Sequence, residues 1–481
     1  MNSTRGSKLL GWSAFTILVA AFTLLPTGQS QPSPPAVNCD YIDAEVNSYQ
    51  PVVDRIIAAV SQGGHFQAHT YSTLADFVDK FGPRMTGSEA LENSIDFMVK
   101  ESKDFGLEVW TENVTAPKWE RHFEKVTLVK PWKSDIPVST LGGSVGTPQG
   151  GITAEVVVFK SFAELIDKSN LVAGKIVVFN QDFVSYGETV KYRSKGASVA
   201  SKYGAVATLI RSVTPYSLAT PHTGHQSYDA AVKPIPTACI APEYAEMLYR
   251  MYRRGDGPVV VSINIDARNV GTTNTRNTIV QIRGRECPDK VVITSGHLDS
   301  WDVGQGAMDD GGGAFISWNS LVLLQSLQLK PRRTIRGILW TAEEQGYVGA
   351  IAYVKKHQEE LKNITVAMES DDGTFTPFGL SLKGSPEAAC ILNKVLRLFK
   401  PINATRLVQS KYPVGSDIEL FQEKNIPGVA LLNDNAKYFW YHHTRADTMS
   451  VLDSDTLDLC TALWGGVAYI LADLSVELPR T

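Results

Sequence analysis

Four short stretches of the chain place histidine or carboxylate side chains just beyond an apolar run that is typical of a buried strand. The side chains are His297, Asp299 and Asp309 in the first stretch, Glu343 and Glu344 in the second, Asp371 in the third, and His442 and His443 in the fourth. Imidazole and carboxylate groups together suit zinc best, with cobalt or manganese as alternatives. One zinc needs about three protein ligands plus water. Five suitable groups, His297, Asp309, Glu344, Asp371 and His443, therefore predict two zinc ions per chain that share a bridging carboxylate.

Two of these stretches carry a second polar side chain beside the expected ligand. His297 and Asp299 are two positions apart, so they share a face of an extended backbone, and Asp299 is expected to orient the imidazole rather than to bind metal. Glu343 and Glu344 are adjacent and point in different directions, so one can face a metal while the other faces a water. Adjacent glutamates usually belong to a solvated face, but their position directly after a buried strand favours a functional role.

The fold class follows from the alternation of elements after residue 277. Apolar, β-branched runs at 291–295, 334–341, 365–369 and 429–432 alternate with helical patterns at 314–327, 346–357, 386–399 and 457–474. Strands separated by helices predict an α/β fold with a doubly wound, mainly parallel (mixed) sheet and flanking helices. Ligands of such sheets collect beyond the carboxyl ends of the strands, where the acidic and imidazole groups of this chain are found.

The length of 481 residues predicts two domains. We assign residues 1–28 to a signal peptide, 29–50 to a pro-segment or linker, 51–140 and 270–481 to the catalytic domain, and 141–269 to an inserted, β-rich domain. The formal net charge of −4 gives no reason to expect nucleic acid as a partner. No stable membrane insertion is expected after the signal peptide is removed.

The N-terminus has the pattern of a secretory signal. Arg5 and Lys8 precede an apolar run from residue 9 to 25, which Pro26 and Gly28 end. An uncleaved signal anchor is the alternative, although the run is short for a membrane span. Secretion gives meaning to the glycosylation sequons at Asn113, Asn363 and Asn403, which we expect to be used.

The remaining cysteine and histidine residues give weaker signals. The five cysteines form no CxxC pattern, so a cysteine zinc site is not expected, and an odd count leaves at least one unpaired unless Cys39 leaves with a pro-segment. The sequence does not show which cysteines pair. His222 and His225 have a spacing that metal sites use, but Pro221 and Gly224 mark the segment as a loop, so a surface or interface position is favoured.

At these residues the chain resembles the co-catalytic zinc exopeptidases of the aminopeptidase-like family. The resemblance is carried by GHLDS, GAMDDGGG, TAEEQG, ESDDG and YHHT, which begin at residues 296, 306, 341, 369 and 441. Each motif is weak alone, but five in order within about 150 residues are specific. The inserted region resembles a protease-associated domain.

The resemblance implies a role for each site residue. His297 and Asp371 are then ligands of one zinc, Glu344 and His443 are ligands of the other, and Asp309 bridges them. Glu343 becomes the general base that takes a proton from the attacking water and returns it to the departing amine. The family also implies a cis peptide at Asp309–Asp310, a homodimer, a zymogen, and a location outside the cell, in the endoplasmic reticulum and Golgi, or in the lysosome.

One position departs from some members of the family, which carry tyrosine before the last histidine ligand. Here that position is His442. Because an imidazole N–H can also stabilise a carbonyl oxygen as it gains charge, His442 is a candidate catalytic residue.

The implied substrates are short peptides, chiefly dipeptides with free termini. An aminopeptidase acting on longer peptides is the alternative within the enzymes. A receptor-like ectodomain on an inactive peptidase scaffold is a further alternative, but such proteins lose ligands, whereas all five ligand positions and Glu343 are suitable here.

Overall fold

The computed structural model describes residues 38–480. The predicted signal peptide and the first part of the predicted pro-segment lie outside this range. Among the described residues, no helix has the length and apolar character needed to cross a lipid bilayer.

Twelve of the fourteen strands in the described residues form one continuous hydrogen-bonded path in the order β13-β12-β14-β11-β9-β10-β8-β4-β5-β6-β7-β3, and β1 lies off this path, where it pairs with β8 and β2. Their bounds are β1 Glu108–Lys130, β2 Ser134–Ile136, β3 Val138–Thr140, β4 Ile152–Phe159, β5 Ile176–Phe179, β6 Ala207–Arg211, β7 Thr237–Ile240, β8 Val260–Ile282, β9 Cys287–His297, β10 Arg333–Trp340, β11 Ile364–Glu369, β12 Pro377–Lys383, β13 Arg406–Gln409 and β14 Gly428–Asn433.

The centre of the sheet confirms the predicted fold class. Strands β10, β9, β11 and β14 run parallel to one another, and β8 and β12 flank them in antiparallel orientation. The residues of β9 from Val291 to His297 are all buried, as expected for a strand covered on both faces. Trp340 pairs with His297, so two of the site-bearing strands end at the same level of one sheet edge.

Helices cover the two faces of the sheet. Their bounds are α1 Asp43–Ser48, α2 Gln50–Val60, α3 His69–Phe81, α4 Glu89–Asp104, α5 Phe162–Asp167, α6 Tyr186–Ser201, α7 Pro242–Arg254, α8 Gly312–Ser326, α9 Val348–Lys356, α10 Pro386–Arg397, α11 Glu419–Gln422, α12 Tyr438–Tyr441 and α13 Ser454–Asp473. Helix α8 is buried from Gly312 to Leu324 because it is apolar on all sides and packs between the sheet and α13. Its first residue, Gly312, ends the loop that holds Asp309, so the helix fixes that end of the loop.

The part of the chain predicted as an insert contributes strands β4 to β7 and helices α5 to α7. Strand β4 pairs with β8 on one side and with β5 on the other, so this part continues the sheet. Its apolar side chains form one cluster around Phe159 and Phe179, and a second around Leu248 that also includes side chains of β1 such as Trp119. Strand β8 runs unbroken across the predicted boundary at residue 269.

A single long strand, β1, forms an antiparallel ribbon with β8. Register shifts at Lys118/Trp119 and Arg121/Phe123 break the alternation of side chains along this strand. Helix α4 is capped by Ser88, whose Oγ accepts the Leu91 N–H.

The described part of the predicted pro-segment is packed against the rest of the fold. Cys39 forms a disulfide with Cys390, and Ile42 and Val46 are buried in the main core. Cleavage at residue 50 would remove all three of these anchors. Cys239, Cys287 and Cys460 are the unpaired cysteines among the described residues.

Candidate metal centre

A first group of ligand-type atoms surrounds the ring of His297 at the end of β9. Its Nε2 lies 3.4 Å from Asp309 Oδ1 and 3.2 Å from Asp371 Oδ1. Asp309 comes from the loop before α8, and Asp371 follows β11. These three residues can each offer an atom to one ion.

A second group shares Asp309. His443 Nε2 lies 3.2 Å from the other carboxylate oxygen of Asp309, Oδ2, and 3.0 Å from Glu344 Oε2. Glu344 follows β10, and His443 follows α12. The two oxygens of Asp309 therefore face two different groups of side chains.

The spacing of these atoms fits zinc. Two ligand atoms at about 2.0–2.1 Å from a tetrahedral zinc are separated by roughly 3.3 Å, and the four distances above fall around this value. Asp309 Oδ2 and Glu344 Oε1 are buried without a hydrogen-bond partner in the described part of the chain. Buried carboxylate oxygens without a donor are costly unless a cation binds them.

Hydrogen bonds at the far side of each imidazole favour this arrangement. His297 Nδ1 lies 2.9 Å from the carbonyl oxygen of Asp299, and His443 Nδ1 lies 3.3 Å from that of Thr223. Because a carbonyl only accepts, a proton on each Nδ1 would satisfy these contacts and would leave the lone pair of each Nε2 for a metal.

Asp299 contacts the imidazole of His297 through its main-chain carbonyl, and its carboxylate has a further role. The imidazole of His297 is held by the main-chain carbonyl of Asp299, whereas the carboxylate accepts the backbone N–H groups of Glu343 at 3.1 Å and Glu344 at 3.4 Å. Thr86 Oγ1 donates to the same carboxylate. Asp299 therefore fixes the turn that carries the two glutamates.

Glu343 lies close to both groups of ligand-type atoms but belongs to neither. Its Oε2 is 3.8 Å from His297 Nε2, further than the carboxylates of Asp309 and Asp371. Burial raises the pKa of Glu343 well above its ordinary value, and the charges of Asp371 and Glu344 add to this effect. A carboxyl group in such surroundings can hold a proton near neutral pH.

The negative charges of the carboxylates in the two groups favour the binding of a cation. Burial opposes protonation of His443, yet the carboxylates of Glu344 and Asp309 raise its pKa to about 9. The pKa of His297 is likewise raised well above its usual value, against the effect of burial, by Asp371 and Glu343. Carboxylates that hold protons on neighbouring imidazoles produce a field that a divalent cation would neutralise.

His442 could also offer an atom to an ion together with Asp309 and His443, but it contacts fewer atoms of the second group than His443 does. Its Nε2 lies 3.6 Å from Asp309 Oδ2, and its ring stacks on that of His443 with the centroids 3.6 Å apart. Only His443 of this pair reaches Glu344 as well.

Three buried residues that the sequence did not single out hold the loop of Asp309. Asp447 accepts the N–H groups of Met308 and Asp309, and Asp310 accepts those of His297 and Gly313. Arg84 is fully buried and donates to the carbonyls of four residues, Gly82, Leu298, Gln305 and Gly306. The Asp309–Asp310 peptide is cis, as the family resemblance implied.

The predicted insert holds the segment that carries His443. The Thr223 N–H donates to the carbonyl of His443 at 2.9 Å, His222 Nδ1 lies 2.6 Å from the carbonyl of His442, and Thr214 Oγ1 donates to that of Phe439. His222 is buried and belongs to neither ligand group. The HxxH segment therefore occupies an interface, which is one of the two positions that its sequence favoured.

Comparison with known proteins identifies the class. Residues 277–468 match the model of peptidase family M28. A peptidase M28 precursor from Shewanella amazonensis SB2B superimposes with a TM-score of 0.85 at 30% identity, covering 91% of this chain and 99% of that one. A zinc aminopeptidase from Bacillus subtilis shares the fold, with a TM-score of 0.65 at 20% identity over 86% of this chain and 98% of its own. The chain belongs to peptidase family M28 and is a zinc metallo-exopeptidase.

Within this class, the chain is similar to several carboxypeptidases Q over about nine-tenths of its length. The chain is 49% identical to carboxypeptidase Q of Xenopus laevis, over 92% of this chain and 93% of the relative. It is 45% identical to carboxypeptidase Q of Homo sapiens, over 89% and 90% of the two chains.

Proposed function

We propose that the protein is a secreted dinuclear zinc peptidase that hydrolyses short peptides, chiefly dipeptides with free termini. The observation that carries this proposal is that the two carboxylate oxygens of Asp309 face different groups. Oδ1 faces His297, which is close to Asp371, and Oδ2 faces His443, which is close to Glu344. These five residues would hold two zinc ions. The bound zinc would polarise the peptide carbonyl and make a water acidic enough to lose a proton near neutral pH.

Glu343 supplies the proton transfer in this proposal. Its carboxylate takes the proton from the attacking water and then gives it to the nitrogen of the departing amine. Asp299 keeps the Glu343 backbone in place through the hydrogen bond to its N–H.

The charges around the centre support a short substrate with two free ends. A cavity of about 330 Å³ over the centre is lined by Arg193 as well as by Glu343 and both histidines of the ligand segment. A second cavity, of about 320 Å³, adjoins it through Tyr347, Asp371, Asp372 and Ser416, and is lined by Glu419. One end of the combined space thus offers a cation and the other offers carboxylates, which matches the charges of a zwitterionic dipeptide.

Blocking the ends of a dipeptide tests the substrate assignment. We expect the zinc-loaded enzyme to hydrolyse a free dipeptide and to act far more slowly on its N-acetylated and C-amidated forms. A chelator should abolish activity, zinc should restore it, and metal analysis should give two ions per chain. Rapid hydrolysis of the amidated form together with refusal of the acetylated form would favour the aminopeptidase alternative.

His442 is proposed to donate a hydrogen bond to the carbonyl oxygen as it gains charge. Replacement of His442 by alanine is expected to lower kcat by ~10²–10³-fold, the usual effect of removing one such donor, while zinc content stays near that of the wild type. His442→Gln, which keeps an N–H donor, should retain part of the activity. Wild-type turnover in the alanine variant would remove His442 from the mechanism, and parallel loss of metal would make it a support for His443.

Secretion and its consequences belong to the same proposal. We infer entry into the secretory pathway, with final locations outside the cell or in the lysosome, and assembly as a homodimer. Of the sequon residues, Asn113 and Asn403 are exposed and Asn363 is half-buried. Glycosylation of all three is proposed.

A further inference from the structure

Arg193 is a buried cation that hydrogen-bonds Tyr186 but has no carboxylate in direct contact among the described residues. It lies on α6 of the predicted insert, is 8% exposed, and lines the cavity over the metal centre. Its Nε is buried without a hydrogen-bond partner, and no ion pair joins it to a carboxylate among residues 38–480. Buried charges in folded proteins are normally paired, because an unpaired one loses its hydration without compensation.

The surroundings of Arg193 hold its guanidinium group in place. Its Cζ lies 5.4 Å from the ring centroid of Tyr186 and its Nη1 lies 3.5 Å from His443 Nδ1. The backbone of Gly224 passes so close that an added Cβ would be 2.5 Å from Cζ and Nη1. The absence of a side chain at Gly224 makes space for the guanidinium group, and the contacts with Tyr186 and His443 fix its position without a bound ligand.

We propose that Arg193 binds the free carboxylate at the C-terminus of the substrate and so limits the enzyme to the last peptide bond. This inference rests on the proposed function. An arginine fork matches a carboxylate with two parallel hydrogen bonds, and it remains charged at any physiological pH. Among the described residues that line this cavity, Arg193 is the sole lysine or arginine.

The position of Arg193 accounts for exopeptidase action. Its Nη1 lies beside Nδ1 of His443, and Nε2 of the same ring belongs to the second ligand group. The guanidinium group and the proposed metal centre are therefore separated by the width of one imidazole ring. In the last residue of a peptide, a single Cα separates the scissile nitrogen from the terminal carboxylate. A carboxylate on Arg193 therefore places the last peptide bond, and not an internal one, at the centre.

A cycle of two enzymes and two substrates tests this assignment. The zinc-loaded wild type and Arg193→Met are each assayed with alanyl-leucine and with alanyl-leucine amide. We expect Arg193→Met to lower kcat/KM for the free acid by at least ~30-fold, mainly through KM, since loss of one partner of a buried charge pair has this effect or more. The kcat/KM for the amide should change little, so the ratio of kcat/KM for the acid to that for the amide should fall. The zinc content should not change.

Two further variants complete the test. Arg211→Met removes another arginine of the predicted insert, one that pairs with Glu246 on a different face, and should leave both substrates unaffected. Arg193→Lys keeps the charge without the fork, and should retain an intermediate preference for the acid. Because it is the smaller change, it also serves as the test variant if Arg193→Met fails to fold.

The outcomes separate this inference from the proposed function. Equal losses on acid and amide, or loss of zinc, would make Arg193 a support of His443 and overturn the inference while the peptidase proposal stands. If Arg193→Met kept the wild-type preference for the acid, the inference would also be overturned, and the peptidase proposal would still stand. Failure of the zinc-loaded wild type to hydrolyse alanyl-leucine at all would overturn the proposed dipeptidase function, and this inference with it.

Discussion

Replacement of Glu343 by glutamine is expected to reduce kcat by ~10²–10⁴-fold, the range in which a positioned acid–base group contributes. Glutamine has the same shape but cannot accept a proton, so the water and the departing amine lose their partner. Glu343 is further from His297 Nε2 than either carboxylate of the first group, at 3.8 Å, and is absent from the second. Zinc content should therefore remain near that of the wild type, and KM should change little.

The neighbouring residue provides a matched control for this variant. Glu344→Gln alters the same kind of side chain in the same turn, but Glu344 Oε2 is 3.0 Å from His443 Nε2. It should lose metal from the second group, and activity should fall with the metal. Turnover and zinc content measured on both variants would thus separate proton transfer from metal binding. Loss of zinc in Glu343→Gln, or wild-type turnover in that variant at full zinc occupancy, would contradict the assignment.

The convergence of the ligands could be predicted because three of them follow neighbouring parallel strands. His297 pairs with Trp340 across β9 and β10, and Glu369 pairs with Ser295 across β11 and β9. Polar residues that come directly after such strands must meet at one sheet edge. Their types then indicated zinc. The fold class and the chemistry of the site were therefore available from the pattern of apolar runs and the residues at their ends.

The residues that support the ligands could not be predicted in this way. Asp447 holds the loop of Asp309 through two backbone N–H groups, across more than a hundred residues of sequence. A single aspartate in a loop carries no local signal of such a contact. Arg193 lies in a helix rich in alanine, serine and lysine, a composition typical of a solvated face. Its burial arises only when that helix meets the segment of His443.

These supporting contacts connect the predicted insert to the chemistry. His443 has a positive φ of 61°, a conformation that costs free energy for a residue other than glycine. The Thr223 N–H donates to the carbonyl of His443, and the Thr223 carbonyl faces its Nδ1. One residue of the insert thus holds the ligand at its backbone and at its ring. The insert thereby helps position a proposed metal ligand and, through Arg193, is proposed to select the substrate.

Asp309 should be the ligand whose replacement has the greatest effect on metal content. Its Oδ1 faces His297 and its Oδ2 faces His443, at 3.4 Å and 3.2 Å. Asparagine keeps one oxygen but replaces the other with an NH₂ group, which cannot bind a metal. In Asp309→Asn, one of the two groups therefore loses a ligand outright, and the charge that balances both cations is lost. We expect no more than one zinc per chain, an affinity loss beyond the ~10–100-fold caused by removing an outer partner, and activity near background.

A nearby carboxylate that belongs to neither group shows whether this effect is specific. Asp372 lines the same cavity, so Asp372→Asn removes one negative charge from the same space without removing a ligand. If the groups bind metal as proposed, zinc content should fall in Asp309→Asn and stay at two in Asp372→Asn. A similar fall in both variants would mean that the total charge of the cavity attracts zinc. Two tightly held zinc ions in Asp309→Asn would rule out a bridging carboxylate, because the single oxygen of asparagine cannot replace two that face opposite groups.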